Sequence, residues 1–251
     1  MTEDFALAVR TLTRKMDELR AAVMQQSLGP ERILDFIAFD TPVRMYLPYA
    51  VTDAVQRIIL LGHSFYEANQ MAAMRSRIPA GAVIADVGAN IGNHTLFFAL
   101  VCRASEIHAF EPLRTIFGIL ERNVALNGLT NVRCHNVAVG AEPAHGALAS
   151  FPTQNIAASR LRLSGGGEYR MVPLDSMVFE RLDLLKIDVE GSHVEVLRGA
   201  RSTIARHRPQ IWIEMRHSLG EFEPGDEMLR ELGYRQTLRL SPVDYLYEAT
   251  G

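Results

Sequence analysis

Three short segments concentrate residue types that do chemistry. The first reads Asp86-Val87-Gly88-Ala89-Asn90-Ile91-Gly92-Asn93, the second Phe110-Glu111-Pro112, and the third Lys186-Ile187-Asp188-Val189-Glu190-Gly191. In the first, Gly88 and Gly92 let the backbone turn sharply and approach a ligand, and the helix predicted to follow offers free N–H donors. The dinucleotide fingerprint GxGxxG is absent, and Asp86 stands inside the preceding strand. A carboxylate there disfavours a pyrophosphate and suits a cationic ammonium or sulfonium. The alternative is that Asp86 only braces the turn through backbone hydrogen bonds. Glu111, about 20 residues beyond the loop, is placed to accept both hydroxyls of a ribose, a geometry that serves NAD and S-adenosylmethionine alike. In the third segment Lys186 and Asp188 share one face of an alternating strand, with Glu190 just past its end. Three ionisable groups in an otherwise apolar strand are expensive unless paired or functional. The two readings are a functional cluster facing the ligand, or a Lys186–Asp188 ion pair with Glu190 capping the next helix.

The elements that position these segments alternate. Ala82 to Val87 reads as a strand, Asn93 to Cys102 as a helix, Glu106 to Phe110 as a strand, Arg114 to Asn127 as a helix, and Val132 to Val139 as a strand. After a Gly-rich, irregular stretch over 140–168 follow a strand at Leu182 to Asp188, a helix at His193 to Arg206 and a strand at Gln210 to Met215. A helix over 225–232 and strands over 234–240 and 244–248 close the chain. Such alternation predicts an α/β protein, a mostly parallel sheet with helices on both faces, whose ligands bind at the carboxyl ends of the strands. Upstream, Phe5, Val9, Leu12, Met16, Leu19 and Val23 repeat every 4 and 3 residues. That is an amphipathic helix with a seam period of about 3.5 residues, lying either on its own domain or against a second copy. Phe36 to Phe39 and Val43 to Leu47 flank the turn-forming Asp40-Thr41-Pro42 and predict a hairpin. The chain is thus expected to divide into an appendage over 1–61, helix and hairpin, and a catalytic domain over 62–251.

Order and spacing of the three segments, with Val196-Leu197-Arg198-Gly199-Ala200 after the third, resemble the FkbM-type family of S-adenosylmethionine-dependent methyltransferases. The resemblance runs from Tyr66-Glu67, a pair frequent in that family, to Glu214. It implies a class I methyltransferase fold, Rossmann-like, with a seven-stranded sheet whose last strand is antiparallel, and methyl transfer to a hydroxyl of a sugar, glycan precursor or secondary metabolite. It assigns Glu67, Asp86, Gly88, Asn90, Gly92, Glu111, Pro112, Asn136 and Asp188 to S-adenosylmethionine. An acceptor hydroxyl needs a base. Asp188, Glu190, His193 and Glu214 are the catalytic candidates, with His217 nearby. His193 stands where family members commonly carry Glu. Asp188, Glu190, Glu214 and His217 also carry metal-ligating atoms, but nothing in their spacing demands an ion and none is expected. The stretch from Phe151 to Met171, with Asn155, Ser159, Arg160 and Gly165 to Gly167, is the candidate lid over the acceptor.

Composition narrows the partners. The 251 residues carry 26 Lys+Arg against 29 Asp+Glu, a net charge of −3, which removes the general attraction for nucleic acid or anionic membrane. The Asn/Asp-Pro-Pro-Tyr/Phe signature of base-directed methylation is absent. No apolar run approaches the roughly 20 residues of a membrane span, and Met1-Thr2-Glu3-Asp4 is acidic where a signal peptide is basic. A cytoplasmic enzyme is expected. Cys102 and Cys134 lack metal or redox spacing and are expected to be buried thiols. The competing readings are an NAD-dependent oxidoreductase, a nucleic-acid methyltransferase and a non-catalytic scaffold.

Overall fold

The computed structural model describes residues 3–150, 160–162 and 167–250. Helix α1 (Glu3–Ser27) precedes a hairpin of β1 (Ile33–Ala38) and β2 (Thr41–Tyr46). The hairpin turns on Phe39 and Asp40, both at positive φ, the geometry whose twist matches a two-residue connection. Thr41 and Pro42 therefore belong to β2 rather than to the turn, and proline is tolerated because a two-stranded sheet is all edge. Helices α2 (Ala54–Gly62) and α3 (Ala68–Arg75) follow, α2 begun by Asp53, whose carboxylate accepts from the Gln56 amide. Phe36, Val43 and Met45 of the hairpin bury in the same core as Phe65 and Phe97.

The main sheet is built from β3 (Val83–Val87), β4 (Glu106–Phe110), β5 (Val132–His135), β10 (Leu184–Ile187), β11 (Gln210–Glu214), β12 (Tyr234–Arg239) and β13 (Asp244–Ala249), in the order β12-β13-β11-β10-β3-β4-β5. Strand β13 runs antiparallel to both its neighbours, and the pairings from β11 through β5 are parallel. Every residue of β10 is buried, as expected of a strand covered on both faces. The helical covers are α4 (Asn93–Leu96), which continues as a π-helical turn over Phe97–Val101, α5 (Arg114–Leu126), α6 (His193–Gly199), α7 (Arg201–His207) and α8 (Phe222–Glu231).

Three expectations change. The run from Val132 to Val139 splits, because His135 ends β5 and Ala138–Val139 (β6) joins another sheet. That second sheet, in the order β6-β9-β7-β8, contains β7 (Ala144–Ser150), β8 (Arg160–Arg162) and β9 (Tyr169–Val172). The stretch expected to be irregular therefore carries strands, which its short segments and glycines concealed. Asn155, Ser159, Gly165 and Gly166 lie outside the described residues. The helix expected from His193 to Arg206 breaks at Ala200.

Helix α1 turns its seam outward. Phe5, Val9, Leu12, Met16, Leu19 and Val23 are all exposed, Leu12 at 62% and Leu19 at 69%. Its anchored side is Ala21, fully buried, and Gln25, whose side-chain amide donates to the Leu47 and Pro48 carbonyls at 2.9 and 3.2 Å. Among the described residues no helix is long and apolar enough to cross a membrane. Cys102 is buried and Cys134 half-buried, and neither forms a disulfide.

Candidate active site

A cavity of about 210 Å³ opens where β3 and β10 lie side by side, at the carboxyl ends of the strands. One wall is the glycine loop. Gly88 and Gly92 hold φ of +85° and +91°, and Asn90 joins them in the left-handed region. A Cβ on Gly88 would overlap the backbone carbonyl of Asp188, so this backbone crosses the end of β10 at a distance no other residue permits. Glu111 closes the loop from β4. Its two oxygens accept from the amides of Asn90 (3.1 Å) and Leu113 (2.8 Å). Asn136 braces the same corner, its side-chain amide donating to the carbonyls of Glu111 and Pro112 at 2.9 and 3.0 Å. Gly88, Asn90, Glu111 and Pro112 line the cavity beside the apolar Val137, Ala138 and Val139.

The opposite side is acidic. Asp188, Glu190 and Glu214 line it with Tyr66, His94 and Arg216. Arg216 donates to both Glu190 oxygens at 2.6 and 3.2 Å and to Glu214 at 2.5 Å. Glu190 is therefore fixed across the cavity mouth rather than capping α6. Beneath lies Lys186, 1% exposed, with its Nζ 3.1 Å from Asp188 Oδ2 and 5.5 Å from the Trp212 ring centre. The ion pair foreseen between Lys186 and Asp188 forms. Asp86 sits opposite Lys186 in the register of β3 and β10. It is fully buried, accepts a hydrogen bond from the Thr95 hydroxyl at 2.6 Å on one oxygen, and among the described residues has no partner on the other. Asp86 thus lies behind the cavity wall, beside Lys186, and burial raises its carboxyl. Gly92, Asn136 and Glu67, all assigned to the cofactor by the resemblance, also lie outside the lining, the first two as supports of the loop.

His193 is placed elsewhere. It is buried outside the cavity lining, its Nε2–H donates to the Glu221 carbonyl at 2.8 Å, and its ring packs against Gly225. His217 is exposed beside Glu223. The structure adds residues that strand-end reasoning passed over: His94 and Asn93 from the first turn of α4, and Asp244, the first residue of β13, which accepts from Trp212 Nε1 at 3.4 Å. A histidine two residues beyond a glycine loop was the one legible signal among them. Two sets of ligating atoms, Glu67-His94-Asp188 and Glu67-Glu214-Asp244, lie within 4.8 Å of one another. The Lys186 ammonium already supplies positive charge to these carboxylates, which works against a divalent ion in the same place.

Burial governs the titration of the group. It pushes Glu111 up to about 7, against its two amide donors, and Glu214 up to about 8, where Asp188 adds to the effect. Lys186 is raised by Asp188 and Asp86 despite its burial and stays charged. For a carboxyl raised on folding, the native state keeps a proton that the unfolded chain releases. The stabilisation is then complete below the ordinary carboxylate range and is lost as pH rises through about 7 and 8. The ligand-free protein is expected to melt at lower temperature at pH 8.5 than at pH 6, with Glu111→Gln flattening part of that slope in a calorimetric pH series.

Numbered along the chain, the seven main-sheet strands stand in the order 3-2-1-4-5-7-6 with the seventh reversed. That order, with a glycine loop after the first strand and an acid after the second, defines a class I methyltransferase fold, whose cofactor is S-adenosylmethionine. The residues present fit that group. Carboxylates and an apolar wall surround the cavity, and among the described residues its one lysine or arginine, Arg216, is already engaged by two glutamates. A sulfonium and an ammonium suit this donor set, whereas a pyrophosphate would find no free cation.

The chain belongs to the FkbM methyltransferase family, whose methyltransferase domain matches residues 86–236. It is 26% identical over 182 residues to Methyltransferase 1 of Beauveria bassiana, covering 62% of this chain and 73% of that one. Over 161 residues it is 28% identical to Methyltransferase sdnD of Sordaria araneosa, covering 49% of this chain and 62% of the relative. Among solved structures, Methyltransferase FkbM from Methylobacillus flagellatus aligns with a TM-score of 0.49 and 18% identity, over 93% of this chain and 60% of that one.

Proposed function

We propose that this protein moves a methyl group from S-adenosylmethionine to a hydroxyl of a small molecule, a sugar or glycan precursor or a secondary metabolite. The observation that carries the reading is the juxtaposition, in one cavity, of a ribose-type carboxylate, Glu111, with the acidic group of Asp188, Glu190 and Glu214. When bound, the cofactor supplies an electrophilic methyl on a sulfonium. The chain's own residues do the rest. Glu111 accepts the ribose hydroxyls with the lone pairs its amide donors leave free. Gly88, Ala89 and Asn90 admit the methionine portion at backbone distance, and Pro112 with Val137 to Val139 encloses the base. Asp188 faces the ammonium, and the Glu190–Arg216 pair frames the acceptor entrance. Positioning supplies much of the rate in such an in-line displacement.

The alternative, a nicotinamide-dependent oxidoreductase, is disfavoured by the absence of a free cation in the described lining. The test is a screen of hydroxylated acceptors (sugars, polyols, phenols, polyketide-like alcohols) for release of S-adenosylhomocysteine. Turnover with at least one of them supports the reading. Methylation of amines or nucleic acid alone would replace the hydroxyl. The outward seam of α1, with its heptad spacing, supports a homodimer through that helix, and sedimentation returning a monomer mass would dismiss it.

A further inference from the structure

The structure brings five carboxylates to the acidic side, Glu67, Asp188, Glu190, Glu214 and Asp244, and four of them are held by a cation or by two donors. Glu190 and Glu214 share the Arg216 guanidinium, Asp188 is bonded to Lys186, and Asp244 accepts from the Ser241 hydroxyl and the indole N–H of Trp212. Glu67 differs. Among the described residues no lysine or arginine lies within ion-pairing distance of it; it accepts from the Tyr66 hydroxyl beside it, and the His94 Nε2 stands 3.6 Å from Glu67 Oε2 without a hydrogen-bond partner. His94 is buried against Trp212, with ring centres 5.0 Å apart, and is held neutral by that burial and by Lys186.

The backbone shows that this placement is imposed. Glu67 adopts φ +61° and ψ +33°, a left-handed conformation unfavourable for a residue with a side chain. It is held by Asn93, whose side chain accepts from the Tyr66 amide at 2.9 Å and donates to the Tyr66 carbonyl at 3.0 Å. Asn93 opens α4 directly behind Gly92, so one helix turn fixes both the cofactor loop and Glu67. Glu67 is not itself among the lining residues, but its carboxylate lies within 4.8 Å of ligating atoms of His94, Asp188 and Glu214, all three of which line the cavity.

We propose that Glu67 is the base that takes the proton of the acceptor hydroxyl, with Asn93 and His94 as its positioning residues. The role rests on the methyl-transfer reading. The acceptor oxygen forms its bond to the methyl carbon as the carbon–sulfur bond breaks. The electron pair of that bond stays on sulfur, the product being S-adenosylhomocysteine, and the hydroxyl proton passes to a Glu67 oxygen. The groups facing Glu67 are Tyr66 beside it, His94 from α4, Lys186 and Asp188 from β10, Glu214 from β11 and Asp244 from β13. Burial first, then Asp244 and Asp188, raise its carboxyl to about 7, with Lys186 and the Tyr66 hydrogen bond opposing. A base so placed takes a proton near neutrality and releases it again.

The test has two arms. With ¹³C-carboxyl-labelled glutamate, two resonances should titrate near pH 7, one vanishing in Glu67→Gln and the other in Glu111→Gln. Midpoints for Glu67 in the ordinary range near pH 4.3 would overturn the proposal. In the second arm, with an acceptor from the screen, Glu67→Gln should lower kcat about 10²-fold or more. S-adenosylhomocysteine affinity should stay within about threefold, and Glu67→Asp should restore part of the rate. Affinity retained with kcat within about twofold of wild type would also overturn it. A wild type that binds S-adenosylhomocysteine and methylates no hydroxyl removes the methyl-transfer reading, and the base with it, whatever the titration shows.

Discussion

Gly88→Ala is expected to abolish S-adenosylhomocysteine binding and to lower stability by roughly 3–5 kcal/mol, the sum of left-handed strain and overpacking. The reason is local. Gly88 sits at φ +85°, and an added Cβ would meet the Asp188 carbonyl carbon and oxygen. Those atoms cannot withdraw freely, because the Asp188 amide donates to the Val87 carbonyl at 2.9 Å and continues the β3–β10 ladder. Relief would part the two strands at the point where the cavity opens. Gly128→Ala is the control. It shares a positive φ of +63° but meets nothing within 4 Å, so its cost should be about 1 kcal/mol. Urea midpoints for the two variants, read with calorimetric titration, check the contrast. A Gly88→Ala protein as stable as Gly128→Ala, and still binding ligand, would mean that β3 and β10 do not approach as described.

Lys186→Met should cost about 3–5 kcal/mol, the range for a buried charge pair that loses one partner. The ammonium stands among Asp188, Asp86, Asp244 and Glu67, and Asp86 already has one buried oxygen without a partner. Without the ammonium Asp86, Asp244 and Glu67, already raised by burial, resist ionisation further. The native state then holds more protons than the unfolded chain, and the deficit should be larger at pH 8 than at pH 5. Adding Asp188→Asn should recover part of the loss, because it removes one of the stranded charges. A single variant with wild-type stability at pH 8, measured by urea unfolding, would contradict the burial of Lys186 as the organising charge.

What was legible in the sequence were the features that local chemistry writes. The glycine loop, Glu111 at the end of a strand, and the Lys186-Asp188 alternation all depend on neighbours within a few residues, and each stands at the strand end where the alternation put it. Less legible was anything decided across the sheet. Arg216 and Glu190 are 26 residues apart in sequence, and their pairing, which removes Glu190 from the helix cap, is set by the spacing of β10 and β11. His193 stood among the catalytic candidates because nothing nearby announces that α8 packs over it. Asp244 follows a Ser-Pro turn and carries no mark of the site it reaches from β13. Conversely, the seam of α1 was read correctly as a helix face, but periodicity alone does not say whether a face turns inward or outward. Ala21 and Gln25 take the inward side, and both are types that a hydrophobic pattern passes over.

The most direct measurement on the central claim is a calorimetric titration of the purified chain with S-adenosylhomocysteine and, separately, with NAD. The cavity described here predicts one saturable site per chain for S-adenosylhomocysteine, weakened by Glu111→Ala, and no binding of NAD. Saturable binding of NAD with none of S-adenosylhomocysteine would contradict it.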